Sequence, residues 1–357
     1  MKDLKKISLD GVWYTEGTIH HFAGNDPGGS WRFAIVQFLD EWFNRKEVIT
    51  AQTSGSTGEP KIIKLSKINM VNSAMMTCSF FELKEKDTAL LCLPASHIAG
   101  KMMLVRALVA GFDLLTVKPG ANPFSDLQTR IDFAAVTPFQ LIRSHHTLQA
   151  KKIQKLIVGG SPVSQKLQKL IENSGSEIYE TYGMTETCSH IALRRLNGRN
   201  AEDFFTVLPG IEIRMDEHNC LVIYAPALAD SGITTRDVVE MRGKNQFKWL
   251  GRSDHAINSG GVKFFPEQIE RKLELLLERC YFISSLPDDK LTEKIVLVIE
   301  GDRWSESESA QWMQGMKQVL TPFEMPRSIH FIGSFDTTPS GKVLKSEIMR
   351  KLRIDGN

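Results

Sequence analysis

Between Val48 and Tyr182, short apolar runs alternate with stretches whose apolar residues recur at helical spacing. Thr88–Leu93, Asp113–Val117, Ile153–Val158 and Ser176–Thr181 read as strands, and Lys101–Val109 reads as a helix. Gly159 and Gly160 stop the Ile153–Val158 strand, and Pro162 suits the first turn of a helix running through Ile171. Strands alternating with helices predict a layered α/β sheet with substantial parallel pairing. From Glu202 to Val239 the pattern becomes β-rich, with turn signals at Pro209-Gly210 and Glu217–Asn219, and predicts a small β-rich subdomain. Near Gly251 the texture changes again. Pro266 opens a helix with an apolar stripe of Ile269, Leu273, Leu276 and Leu277. Ile295–Ile299 and Ile329–Ile332 read as strands, and Ser305–Leu320 as a helix. This predicts a separate α+β domain of about a hundred residues. The boundary falls near Arg252–Asp254, dividing the chain into 1–252 and 253–357.

Composition narrows the classes. The 357 residues suffice for two or three domains. Basic and acidic side chains number 44 and 42, and no basic run stands out, so nucleic acid is not an expected partner. The five cysteines, Cys78, Cys92, Cys188, Cys220 and Cys280, are scattered and show no CxxC spacing. That argues against a disulfide framework or zinc site and suits a reducing cytoplasm. Met1–Lys6 is basic but no apolar core follows, unlike a secretory signal. The most apolar stretch, Met102–Val117, is broken by Arg106 and Asp113 and is too short to span a bilayer. The nine histidines form no HExxH cluster, which disfavours a metalloenzyme.

Five segments carry candidate chemistry. Thr53-Ser54-Gly55-Ser56-Thr57-Gly58-Glu59-Pro60-Lys61 gathers hydroxyls, glycines and one lysine between the apolar pairs Val48-Ile49 and Ile62-Ile63. Such a run can offer N–H groups, hydroxyls and an ammonium to phosphate oxygens, although a Ser/Gly run alone is commonly a linker. It lacks the spacing of a Walker A loop. Val158-Gly159-Gly160-Ser161-Pro162 ends a predicted strand, where ligands of α/β sheets collect and where an ordinary turn is equally at home. Tyr182-Gly183-Met184-Thr185-Glu186 places an aromatic face, a glycine, a hydroxyl and a carboxylate together, suited to a base, a phosphate and Mg²⁺. Gly251–Lys263 is a small-residue stretch at the predicted junction, either a hinge or a hairpin turn. Thr338-Pro339-Ser340-Gly341-Lys342 puts a cation near the C-terminus, where tail lysines are usually solvated.

In this order and spacing, the segments resemble the adenylate-forming superfamily of acyl-CoA synthetases, peptide-synthetase adenylation domains and luciferases, from about Thr50 to the C-terminus. The resemblance implies ATP-dependent activation of a carboxylic acid as its acyl-adenylate, then transfer to the thiol of coenzyme A. It assigns Thr53–Gly58 and Lys61 to the phosphates, Gly159, Gly160, Ser161 and Pro162 to adenine, and Tyr182, Gly183, Met184 and Thr185 to adenine and the α-phosphate. Glu186 would hold Mg²⁺, Asp237 and Arg252 the ribose, and Asp254 would be the hinge. Gly260 and Gly261 would line the coenzyme A channel, and Lys342 would be the adenylation lysine. Two features depart from the family: the phosphate run begins near residue 53, so much of the family's N-terminal subdomain is expected to be missing, and Arg236 replaces the usual glycine before Asp237.

Thr137–Leu141, Tyr182–His190 and Leu93–Gly100 are most similar to the o-succinylbenzoate–CoA ligases of menaquinone biosynthesis. That similarity makes His97, Lys101, Ser189 and His190 acyl-pocket candidates, with Lys101 or His190 for the distal carboxylate. A structural role for His97 and a solvated Lys101 are the plainer alternatives. Another acyl- or aryl-CoA synthetase, a stand-alone amino-acid adenylation domain and a non-catalytic nucleotide-binding protein remain as other readings. No integral membrane association is expected, and a homo-oligomer is left open.

Overall fold

The computed structural model describes residues 4–24, 30–52, 62–149, 153–229, 231–337 and 343–355. In the first part of the chain the strands are β1 (Lys6–Leu9), β2 (Val12–Thr15), β3 (Val48–Gln52), β4 (Ile62–Ser66), β5 (Thr88–Leu91), β6 (Asp113–Thr116), β7 (Ile131–Val136), β8 (Ile153–Val158) and β9 (Glu177–Gly183). Helices α1 (Trp31–Phe43), α2 (Lys67–Phe80), α3 (Ile98–Ala110), α4 (Pro138–Gln149) and α5 (Gln165–Ile171) lie between them. Then follow β10 (His190–Arg195), β11 (Phe205–Val207), β12 (Glu212–Met215), β13 (Cys220–Tyr224), β14 (Ile233–Arg242) and β15 (Gln246–Arg252).

Among the described residues these strands, except β3 and β4, form one 13-stranded sheet in the order β12-β13-β14-β15-β11-β10-β9-β8-β7-β5-β6-β1-β2. The run β1-β6-β5-β7-β8-β9 is parallel, and the flanking pairs are antiparallel. The parallel strands are apolar on both faces because both are covered. Ala89, Leu91, Phe133, Ala135 and Ile157 pack in a core shared with α1, α2 and α3. Their neighbours Leu90, Cys92, Ala134, Val136, Leu156 and Val158 pack with α4 and α5. Helix α3 is sealed almost all round, and it takes Lys101 and Arg106 inside with it.

Two details differ from the pattern read along the chain. The helix after β8 starts at Gln165, not at Pro162: Ser164 is extended and its side chain accepts from the Leu167 N–H, so Pro162 belongs to the link before the cap. The segment before β3 contributes more than its sequence suggests. β1 pairs in parallel with β6 and extends the sheet edge, while Ile35, Phe38, Leu39 and Trp42 of α1 join the main core.

The remaining strands are β16 (Ile257–Ser259), β17 (Val262–Phe264), β18 (Tyr281–Asp288), β19 (Thr292–Glu300) and β20 (Ser328–Ile332). They form a second sheet with α6 (Pro266–Leu273), α7 (Glu306–Val319) and α8 (Lys345–Asp355). Ile269, Leu273 and Met316 cover one face of this sheet, and Ile348 and Met349 of α8 cover the other. The α6 helix ends at Leu273, so Leu276 and Leu277 reach the core from the turn that follows it. Between the two sheets lies only the short turn Ser253–His255. No helix among the described residues is long and apolar enough to cross a membrane.

Candidate functional site

The site forms at the carboxyl ends of the adjacent parallel strands β8 and β9, where ligands of open α/β sheets gather. Gly159 follows β8 directly. A Cβ there would lie 2.4 Å from Thr181 Oγ1, so any side chain at this position would force that hydroxyl to move. Gly160 has φ +92°, and Gly160, Ser161 and Pro162 are exposed beyond it. Glu180 ties this link to β9: its carboxylate accepts from the Val163 N–H at 2.8 Å and from the buried Arg194 guanidinium.

Tyr182 and Gly183 end β9, and the chain returns as β10 with His190 paired to Gly183. The intervening turn is tightly closed. A Cβ on Gly183 would lie 2.3 Å from the Ser189 carbonyl oxygen. The fully buried Thr187 accepts from the Met184 N–H at 3.2 Å, and its hydroxyl lies 2.7 Å from the Ser189 carbonyl. Cys188 has φ +62°, and the Ser189 N–H donates to Thr187 O at 2.7 Å, the closure of a strained γ-turn. At the tip of this loop Glu186 is exposed, with no hydrogen bond or ion pair among the described residues.

The β-rich strands bring in the third side. Asp237 on β14 pairs in register with Arg252 on β15. Its carboxylate accepts from Tyr182 OH at 2.5 Å and from Trp249 Nε1 at 3.1 Å. Burial first, and then the Asp237 charge, push the Tyr182 phenol far above its ordinary range, so it stays a donor. Arg252 grips Asp254 through two nitrogens, each at 2.9 Å, and Arg236, in place of the family glycine, adds a third contact at 3.2 Å. These contacts, led by the Arg252 hydrogen bond, hold the Asp254 carboxyl well below its ordinary range.

The structure therefore brings Gly159–Pro162, Tyr182–Glu186, Asp237 and Arg252 to one region. Thr53–Gly58, Lys61 and Lys342 lie outside the described residues. Around the first of these gaps, β3 and β4 pair as an antiparallel hairpin with Gln52 opposite Ile62, and β4 packs against Thr185–Thr187. Gly260 and Gly261 occupy a two-residue hairpin turn between β16 and β17, both with positive φ. Gly260 donates to Leu291 O at 2.8 Å.

The acyl-pocket candidates separate. His97 is exposed and bonds its neighbour Ser96. Lys101 is buried, which corrects the expectation of a solvated helix lysine. Its ammonium donates to Thr50 O at 2.6 Å and lies 5.6 Å from the Phe38 ring centroid, so a backbone carbonyl, not solvent, satisfies it. His190 is also buried, and burial followed by the Arg106 charge holds its imidazole well below the usual range. A neutral ring there would meet a distal carboxylate as an N–H donor and not as a cation.

The residue missing from the sequence reading is Arg106. It is 2% exposed, donates to Ser189 Oγ at 2.9 Å and to Met103 Sδ at 3.6 Å, and its Nε has no partner. Among the described residues its side-chain hydrogen-bond partners are Ser189 and Met103, neither of them a carboxylate. Burial pushes its guanidinium pKa down to about 10, still charged at neutral pH. Its signal was a lone charge in an apolar helix, because arginine is almost never fully buried without a partner. Trp249 left no comparable trace.

Comparison with known proteins gives this geometry its context. The AMP-binding enzyme family matches residues 45–221. A solved acyl-CoA synthetase (AMP-forming)/AMP-acid ligase II-like protein from Dyadobacter fermentans is 34% identical, with a TM-score of 0.62, over 94% of this chain and 98% of that one. The feruloyl-CoA synthase of an Amycolatopsis species is 28% identical over 84% of this chain and 68% of its own length. The 2-succinylbenzoate–CoA ligase of Salmonella typhimurium is 26% identical over 80% of this chain and 67% of its own. The chain belongs to the AMP-binding enzymes, the adenylate-forming superfamily that includes the acyl-CoA synthetases. Within it, the class of acid–thiol ligases that form AMP is the one these relatives define.

Proposed function

We propose that this chain activates o-succinylbenzoate as its acyl-adenylate and transfers the acyl group to coenzyme A. The observation that supports this substrate is Arg106, a buried guanidinium without a carboxylate partner among the described residues, one hydrogen bond through Ser189 Oγ from the turn that bears Glu186. o-Succinylbenzoate has two carboxylates: one to be activated and one that needs a cation. A monoacid such as ferulate would leave Arg106 buried and unpaired, a costly arrangement.

In this reading residues 1–252 bind ATP and acid, and 253–357 move about Asp254. One carboxylate oxygen bonds to the α-phosphorus of ATP while the bond from that phosphorus to pyrophosphate breaks. An anion must approach a polyanion, so catalysis depends on positive charge and oriented donors. Lys61, Ser54 and Thr57 would face the β- and γ-phosphates, Thr185 the α-phosphate, and Lys342 both reacting groups, as the family resemblance implies. Asp237, oriented by Tyr182 and Trp249, is free to accept ribose hydroxyls through its remaining lone pairs. Glu186 fits magnesium: its carboxylate is uncommitted among the described residues, and magnesium takes one or two carboxylates beside substrate phosphates. Magnesium bound there would neutralise phosphate charge. Gly260 and Gly261 would line the route of the thiol after rotation.

The test is pyrophosphate release with ATP, coenzyme A and, in turn, o-succinylbenzoate, ferulate and benzoate. o-Succinylbenzoate is expected to give the highest kcat/KM. Arg106→Gln should lose a charged hydrogen bond worth about 1.5–3 kcal/mol, raising the KM for o-succinylbenzoate roughly 10- to 150-fold without changing that for ATP. A preference for ferulate, or an equal loss on benzoate, would sink the assignment.

A further inference from the structure

We propose that Thr77 and His190 are positioning residues of the acyl site, which with Ser189 form a one-way hydrogen-bond relay that fixes the Arg106 guanidinium for a substrate carboxylate. The proposal rests on the acyl-site reading above and extends it to residues that touch no substrate. Thr77 lies on α2, Arg106 on α3 and His190 at the start of β10, so the relay joins three elements at the exit of the Glu186 turn.

The direction follows from which groups can donate. A guanidinium only donates, so Ser189 Oγ is the acceptor at 2.9 Å. The single Ser189 proton is then available to His190 Nδ1 at 3.4 Å. With Nδ1 accepting, a neutral imidazole carries its proton on Nε2. Nε2 lies 3.2 Å from Thr77 Oγ1 and donates to it, and the Thr77 proton goes to the Ser73 carbonyl at 3.1 Å. Every member donates once and accepts once, and the chain ends on helix backbone.

The reverse direction is less well matched: if Thr77 donated to Nε2, the Nδ1–H would be a second donor to Ser189 Oγ, and the proton of the half-buried Ser189 would find no acceptor among the described residues and would turn to solvent. A protonated ring would do likewise and would set a second buried charge beside Arg106. Thr77 is fully buried and His190 only 5% exposed, so water does not readily replace a missing member. The relay thus favours the Ser189 orientation in which its hydroxyl accepts from Arg106 and donates to His190. The Arg106 Nε, buried and unpartnered, remains for the ligand.

Selective ¹⁵N-histidine NMR of the full chain at pH 7, with the His190 signal assigned by loss in His190→Gln, should show the neutral Nε2–H tautomer. Thr77→Val removes the acceptor at nearly constant shape, and Thr77→Ser restores it. Thr77→Val should raise the KM for o-succinylbenzoate roughly 3- to 10-fold, leaving kcat and the KM for ATP unchanged, while Thr77→Ser stays near wild type. A purely structural role would lower the melting temperature without this split between substrates. His190→Gln supplies the same kinetic readout should Thr77→Val not fold. An Nδ1–H tautomer or an imidazolium at His190 overturns the relay, and an unchanged KM for o-succinylbenzoate in the folded variant overturns its positioning role. Wild-type protein that releases no pyrophosphate with o-succinylbenzoate overturns the substrate reading instead, and the tautomer then decides the relay by itself.

Discussion

Asp237 shows how much of a binding residue's behaviour is set by neighbours. Each of its carboxylate oxygens already holds one donor, Tyr182 OH at 2.5 Å and Trp249 Nε1 at 3.1 Å. These bonds fix the plane of the carboxylate and leave lone pairs for a diol. Tyr182 is itself braced by its edge-on contact with Phe247, ring centroids 4.9 Å apart. Tyr182→Phe keeps that packing and removes only the hydroxyl. The loss of one part-buried hydrogen bond, about 1 kcal/mol, should raise the KM for ATP by roughly fivefold and leave that for the acid alone. Steady-state kinetics with each substrate varied in turn will decide, and an unchanged KM for ATP would remove Tyr182 from the orientation of Asp237.

Elements obey more local rules, and this is why many were legible. The helix α7 begins at a reciprocal cap: Ser305 Oγ accepts from the Glu308 N–H at 3.3 Å, and Glu308 Oε2 accepts from the Ser305 N–H at 2.8 Å. Ser305→Ala should cost about 1 kcal/mol, read as a lower urea midpoint with an unchanged slope. An unaltered midpoint would show that packing alone holds α7. The strands β5, β8 and β19 were readable because apolar runs bounded by turn residues are a property of neighbouring positions. The β1–β6 pairing was not, because it joins Ser8 to Asp113 across the intervening chain and nothing local announces it. The candidate site divides in the same way. Gly159, Gly183 and Asp237 stand in recognisable strings, whereas the fate of a charge depends on what the fold brings to it. Lys101 and Arg106 lie on one helix five positions apart; one meets the Thr50 carbonyl and the other finds no carboxylate among the described residues.

At the scale of the whole molecule, the two sheets are joined by Ser253–His255 and by a set of polar contacts. Glu274, just beyond α6, places its carboxylate over the first turn of α5, accepting from the Gln165 N–H at 2.8 Å and the Lys166 N–H at 3.3 Å. Lys166 returns an ammonium to Leu277 O at 2.9 Å, and Arg271 lies 3.4 Å from Asp203. These contacts are polar, the kind that permits relative motion of domains. Asp254, in the turn between the sheets, is held by Arg252 and Arg236, both on strands of the first sheet. Because its carboxyl titrates below its unfolded value, its pairing stabilises the fold above the ordinary carboxylate pKa and is lost only as pH falls through the depressed folded value, so it persists at neutral pH. At that pH the docking can be weakened without touching the turn. Glu274→Ala leaves two part-buried N–H groups of α5 without their acceptor, at a cost of about 1–3 kcal/mol. Limited proteolysis between 252 and 257 should accelerate, and calorimetry should resolve the unfolding of the two units into separate transitions. Glu274→Gln keeps an acceptor oxygen and should fall between the two. Cleavage and melting that match wild type in both variants would mean that the units are held together by something other than this carboxylate.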